Sequence, residues 1–173
     1  MFNEKVQAGG VFTVQCFDKE GNLKWTEEKH NLVVNVGLQD MNTKYFSGSS
    51  YTAAWYIGLY GAGASNTPNA SDTMSSHGGW TEVTAYSQAT RPACTFGTAT
   101  TADPSVITNS ASPATFSING TTTVGGAFLT SDNTKGGTAG TLFSASDFQS
   151  PGDRSVVSGD TLTVTYTFSL DAA

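Results

Sequence analysis

The sequence predicts an all-β protein, a β-sandwich of jelly-roll or immunoglobulin-like topology with one short helix. Three observations carry this prediction. Leu162, Val164, Tyr166, Phe168 and Leu170 alternate without a break with Thr161, Thr163, Thr165, Thr167 and Ser169, the period of a strand with one buried face. Roughly nine short apolar runs of this kind are separated by Gly, Asn, Ser and Asp turns, as in sandwiches. Serine and threonine supply 45 of 173 residues and glycine 19, while charged residues are only 13% and aromatics 11%. That composition favours strands joined by turns and still provides a core.

Taken in order, residues 11–17 (VFTVQCF) read as a strand, 18–22 (DKEGN) as a turn and 23–27 (LKWTE) as the returning strand. Gly21 can supply the positive φ that such a turn needs. Residues 1–10 show no core pattern and are expected to form an N-terminal arm. The remaining residues, 11–173, are expected to form one domain. Asn35 is a candidate helix cap, and Leu38, Met41 and Tyr45 follow at helical spacing, which predicts a helix over 36–46. Its apolar stripe is expected to pack over an open end of the β core.

Residues 54–60 (AWYIGLY) are apolar on both faces of a strand, so both faces should be covered. Residues 61–92 read as a long irregular loop, with a short strand expected at 81–86. Further strands are expected at 93–98, 105–108, 114–118, 121–130 and 141–145. Asn119-Gly120 lies between two of these and predicts a type I′ hairpin. Gly125-Gly126 predicts a bulge or a close backbone approach.

Chemistry is sparsely signalled. His30 and His77 have no histidine or cysteine at metal-ligand spacing and read as surface residues. Glu27 and Glu28 are adjacent on a strand and should point to opposite faces, a poor acid–base pair. Asp103, Asp132, Asp147, Asp153 and Asp160 flank turns. Cys16 and Cys94 read as reduced, half-buried thiols. No nucleophile-elbow, zinc-protease or phosphate-loop motif occurs, so no catalytic residue, metal ligand or cofactor is expected, and the protein is expected not to be an enzyme. The net charge of −6 argues against nucleic acid and anionic membrane as partners. No apolar run approaches the ~20 residues of a membrane-spanning helix, and residues 1–5 lack a signal-peptide pattern, so a soluble protein folded in a cytoplasm is expected.

The candidate interface residues are therefore aromatic, lie in the N-terminal arm, or lie on the threonine-rich strand face. They are Phe2 and Val6 in the arm, Trp55, Tyr56 and Tyr60 on one strand, Trp80 and Tyr86 in the long loop, and Thr163, Thr165 and Thr167. Aromatic anchors of this kind stack on sugars or fill interface pockets. The unbroken threonine face is expected either to be paired within the sandwich or to lie against another subunit.

Several blocks together resemble a family of small tailed-phage virion proteins. They are VQAGGVF (6–12), DKEGN (18–22), NLV (31–33), WYIGL (55–59) and VVSGDTLTVTY (156–166). The resemblance spans nearly the whole chain. It implies a head decoration, or cement, protein on the capsid exterior, with the major capsid protein and further copies of itself, as dimer or trimer, for partners. No catalytic residue is implied. The alternative is a tail or head fibre domain that binds a host receptor or glycan through Trp80 and Tyr86.

Overall fold

The computed structural model describes residues 5–48, 51, 53–61, 67–148 and 152–172. Two antiparallel sheets pack face to face, with one helix at one end. The sheet that organises the fold is built on β10 (Thr161–Ala172), which pairs with β1 (Val6–Phe17) along its whole length, from Thr161↔Phe17 to Ala172↔Val6. β1 turns at Gly21 (φ +86°) into β2 (Leu23–His30), forming the expected hairpin.

The other edge of β10 is shared. β6 (Ala114–Ser117) pairs with its first half and β5 (Ser105–Thr108) with its second. Buried Asn109 fills the gap between them. Its Oδ1 accepts from Tyr166 N (2.7 Å) and its Nδ2 donates to Val164 O (3.3 Å). A side-chain amide thus replaces a missing strand partner, and the buried backbone of β10 stays satisfied.

The second sheet has the order β3 (Leu32–Val33), β8 (Leu142–Asp147), β7 (Thr122–Thr130) and β4 (Tyr56–Gly61), with β9 (Arg154–Val156) also on β7. The core lies between the sheets. Phe12, Val14, Leu162, Val164, Tyr166 and Phe116 meet Ile57, Leu59, Val124, Ala127 and Leu129, all buried. Each large side chain contributes roughly 1.5–3 kcal/mol. Tyr166 also ties the layers together, because its hydroxyl accepts from Asn31 Nδ2 (2.8 Å) and Ser144 Oγ (3.2 Å).

The Gly125-Gly126 signal has its expected cause. The pairing with β4 shifts register between Tyr60 and Gly61, and a Cβ on Gly126 would stand 2.1 Å from the Tyr60 ring and 2.2 Å from Ser146 O. Both faces of β4 are covered, as expected. Ile57 and Leu59 enter the main core, while Tyr60 joins Trp80, Met74, Phe128, Leu142 and Val34 in a second cluster beneath the long loop.

Other expectations are corrected. Residues 6–10 are not a free arm, since their backbone pairs with residues 168–172 of β10. Residues 1–4 lie outside the described residues. Asn119-Gly120 makes no hairpin. β6 and β7 belong to different sheets, and neither residue has positive φ. β10 captures β6 through pairs such as Leu162↔Phe116, which seats Phe116 in the core, and long-range pairing overrides the local turn signal. Residues 93–98 and 81–86 form only isolated bridges, Tyr56↔Ala93, Tyr60↔Glu82 and Tyr86↔Ile118.

Helix α1 (Asn35–Phe46) has Val34 rather than Asn35 at its N-cap, with no side-chain cap bond. It packs through Gly37, where a Cβ would meet Phe143 O at 2.4 Å. The expected stripe is not its packing face, because Leu38 and Tyr45 are exposed.

Candidate interaction surfaces

The outer faces of the two sheets differ. The long loop covers that of β4, β7 and β8, as the Tyr60–Trp80–Phe128 stack shows (ring centroids 4.9 and 5.1 Å). Arg91 locks this loop in place. Although fully buried, it donates from Nε and Nη2 to both Glu82 carboxylate oxygens (2.9 and 2.7 Å), from Nη1 to Asp132 O (2.9 Å) and from Nη2 to Gly137 O (2.7 Å). Lys135 adds bonds to Tyr86 O and Gln88 O. Such a bidentate, fully hydrogen-bonded guanidinium holds loops in one geometry.

The outer face of the β10 sheet has no such cover among the described residues. Opposed residues of an antiparallel pair share a face, so the registers lay out rows across four strands. One row runs His30, Val11, Thr167, Thr108. The next runs Glu28, Thr13, Thr165. A third runs Thr26, Gln15, Thr163, Thr115, and a fourth contains Phe17, Thr161 and Ser117. Thr163, Thr165 and Thr167 are half-exposed. They are flanked by paired strands on both sides, so a partner reaches them only from above the sheet. Glu28 is the sole carboxylate in these rows. Its neighbour Glu27 points inward to Arg154 and Lys29, so the two glutamates face opposite ways as expected.

The remaining candidates separate by burial. Tyr60, Trp80 and Tyr86 are 0%, 4% and 1% exposed and are core residues, not a surface. Trp55 and Tyr56 are half-buried, and Trp55 meets Phe143 edge to face at 5.4 Å. Val6 is exposed, and Phe2 lies outside the described residues. His77 is stacked on Trp80 at 3.7 Å rather than standing free at the surface, while His30 is exposed.

Both thiols are buried and unbonded to each other. Burial pushes Cys94 up to about 12. Burial first, and then the Asp160 carboxylate, raises Cys16 to about 11. Among the described residues no three acidic, histidine or cysteine side chains cluster as a metal site, and no helix is long and apolar enough to cross a membrane.

One cavity, of about 520 Å³, opens at the helix end of the sandwich. Its walls include Trp55, Phe96, Phe143 and Phe168, with Asp40 and Lys44 of α1 and Tyr45 among the residues that line it. The stripe expected from the sequence, Leu38, Met41 and Tyr45, conceals this cavity, because it places Tyr45 against the core, whereas Tyr45 is exposed at the cavity rim.

No protein-family model, curated protein or solved structure matches this chain.

Proposed function

We propose that the protein is a non-enzymatic structural virion protein, a decoration or cement protein that binds the outer surface of a phage head and stabilises contacts between capsomers. The observation that carries this reading is the open threonine face of the β10 sheet. Hydroxyls both donate and accept, and the rows of Thr163, Thr165 and Thr167, where Glu28 is the one carboxylate, can be desolvated against a partner with little charge to strand. From strand spacings its area is on the order of 500 Å², below the ~800 Å² per partner of a standard interface. A single contact of that size is weak, and a repeating shell converts many of them into firm binding by avidity. The partners in this reading are the major capsid protein and further copies of this chain.

Residues 6–9 extend β1 beyond Val11↔His30, where β2 ends. They offer a short strand edge for β-augmentation by a neighbouring subunit, a second polar contact of the same kind. The fibre alternative names Trp80 and Tyr86 as its contact residues, and both are buried. Quantitative gel analysis of virions from the phage that encodes the chain separates the two. Decoration requires hundreds of copies per particle. A handful of copies at the tail favours the fibre, and absence from the virion overturns both.

A further inference from the structure

Helix α1 carries its polarity the wrong way round. Its inward residues, at helical spacing, are Gly37, Asp40, Met41 and Lys44, and Lys44 Nζ pairs with Asp40 Oδ1 at 3.2 Å on the rim of the 520 Å³ cavity. Its aromatic residues face solvent. Tyr45 is 81% and Phe46 78% exposed, and the two rings hold each other edge to face at 4.8 Å. Tyr51, 43% exposed, stands beside them under Lys44 Nζ at 4.2 Å. Two rings exposed to that degree offer roughly 300 Å² of aromatic surface, which alone reaches the size of the largest patch on an ordinary monomer. A lone exposed leucine needs no explanation, whereas a preorganised aromatic pair beside an aromatic-walled cavity does.

We infer that this end of the sandwich is a self-association surface, in which Tyr45 and Phe46 of one copy enter the cavity of a second copy. The structure points to a second copy for three reasons. The projecting rings and the receiving cavity lie side by side on one chain, with Tyr45 on the cavity rim, which is the arrangement a reciprocal two-fold contact requires. The cavity walls Trp55, Phe96, Phe143 and Phe168 match aromatic rings in kind, and its volume lies within the ~300–1,000 Å³ of sites that enclose small ligands. Each rim carries one acid and one base, Asp40 and Lys44, so two copies meet without an unbalanced charge. Burying four rings in two cavities removes on the order of 1,000 Å², the lower bound for a specific interface. The dimer is therefore weak, a contact suited to neighbours already held on one surface. The inference assigns a surface to the self-association included in the decoration reading and rests on that reading only for its setting.

The test is analytical ultracentrifugation of the full chain across the micromolar range. Wild type should shift from monomer to dimer as concentration rises. Phe46→Asp should remain monomeric with an unchanged melting curve, because Phe46 is already exposed. Ala53→Trp, at an exposed position on the cavity wall, should also be monomeric. A wild type that stays monomeric at every concentration overturns the inference, as does a dimer indifferent to Phe46→Asp or to Ala53→Trp. Binding to phage heads is scored separately. A monomeric wild type that still binds heads sinks only the self-association. If it then loses head binding on Phe46→Asp, the cavity's occupant is the capsid and not a second copy.

Discussion

Replacing Arg91 with methionine keeps the side-chain stem and removes the guanidinium, and it should cost about 3–5 kcal/mol, the penalty of breaking a buried ion pair from one side. The size follows from what is left behind. The Glu82 side chain is 9% exposed and keeps only the Gly136 N–H (2.8 Å) of its strong partners. Asp132 O and Gly137 O each lose a charged donor at 2.9 and 2.7 Å, and an unpaired buried acceptor costs roughly 1–3 kcal/mol. Against a total stability of about 5–15 kcal/mol, that is a large share. Urea unfolding followed by tryptophan fluorescence reads it directly, since Trp80 belongs to the loop that Arg91 fastens and is buried against Tyr60 and Phe128. Adding Glu82→Gln to the methionine variant removes the stranded charge and keeps an acceptor for Gly136 N–H. The double variant should therefore recover part of the loss, with a coupling of about 0.5–3 kcal/mol. A cost within about 0.5 kcal/mol for Arg91→Met, the range of an ordinary surface change, would refute the assignment of Arg91 as the fastening of the loop.

Cys16 and Cys94 should resist iodoacetamide in the native state at pH 8 and react only after unfolding, and rapid native alkylation of both would contradict their burial. Alkaline stability should follow from the same groups. A thiol raised from 9.0 to about 11 at Cys16 or about 12 at Cys94 contributes stability fully below its unfolded value and loses it as pH rises through the folded one. Burial also raises Tyr60, Tyr86 and Tyr166, with the same sign. Urea midpoints should thus be level between neutrality and about pH 9 and fall above it, with a shallower fall for Cys94→Ala. A midpoint that rises above pH 9 would show the sign to be wrong.

The strands legible in the sequence were those whose pattern and partners agree. β10 showed a perfect period of two, because one of its faces is core over most of its length and the other is open. The β1–β2 hairpin had a local turn with the required glycine. Gly126 was legible because a side chain there would occupy the place of the Tyr60 ring. Where partners are distant, local signals misled. Asn119-Gly120 reads as a hairpin, yet β6 gains more by giving Phe116 to the core alongside Leu162. The loop at 61–92 carried no periodicity, because Arg91, Glu82 and Lys135 hold its described part through side-chain bonds rather than ladders. Trp80 and Tyr86 therefore looked available to a partner when they are core. On the functional side, the threonine face was legible as a face, but its openness depended on which sheet the long loop covers. The outward aromatic pair on α1 was missed because Leu38, Met41 and Tyr45 fit a packing stripe, while a single buried glycine, Gly37, sets the contact instead.

The most direct test of the decoration reading is the occupancy of phage heads by Thr163→Lys/Thr167→Lys protein. These positions lie on the open face of β10 opposite Gln15 and Val11, so the lysines meet no like charge across β1 and the fold should persist, checked by circular dichroism. Heads assembled without the protein are incubated with wild type or variant, sedimented, and the bound copies counted. Wild type should load to hundreds of copies. The variant should bind at least tenfold more weakly, about 1.4 kcal/mol or more per site, because two ammonium groups must be desolvated against the capsid. A folded variant that loads heads as tightly and as fully as wild type would contradict the claim that the threonine face is the docking surface.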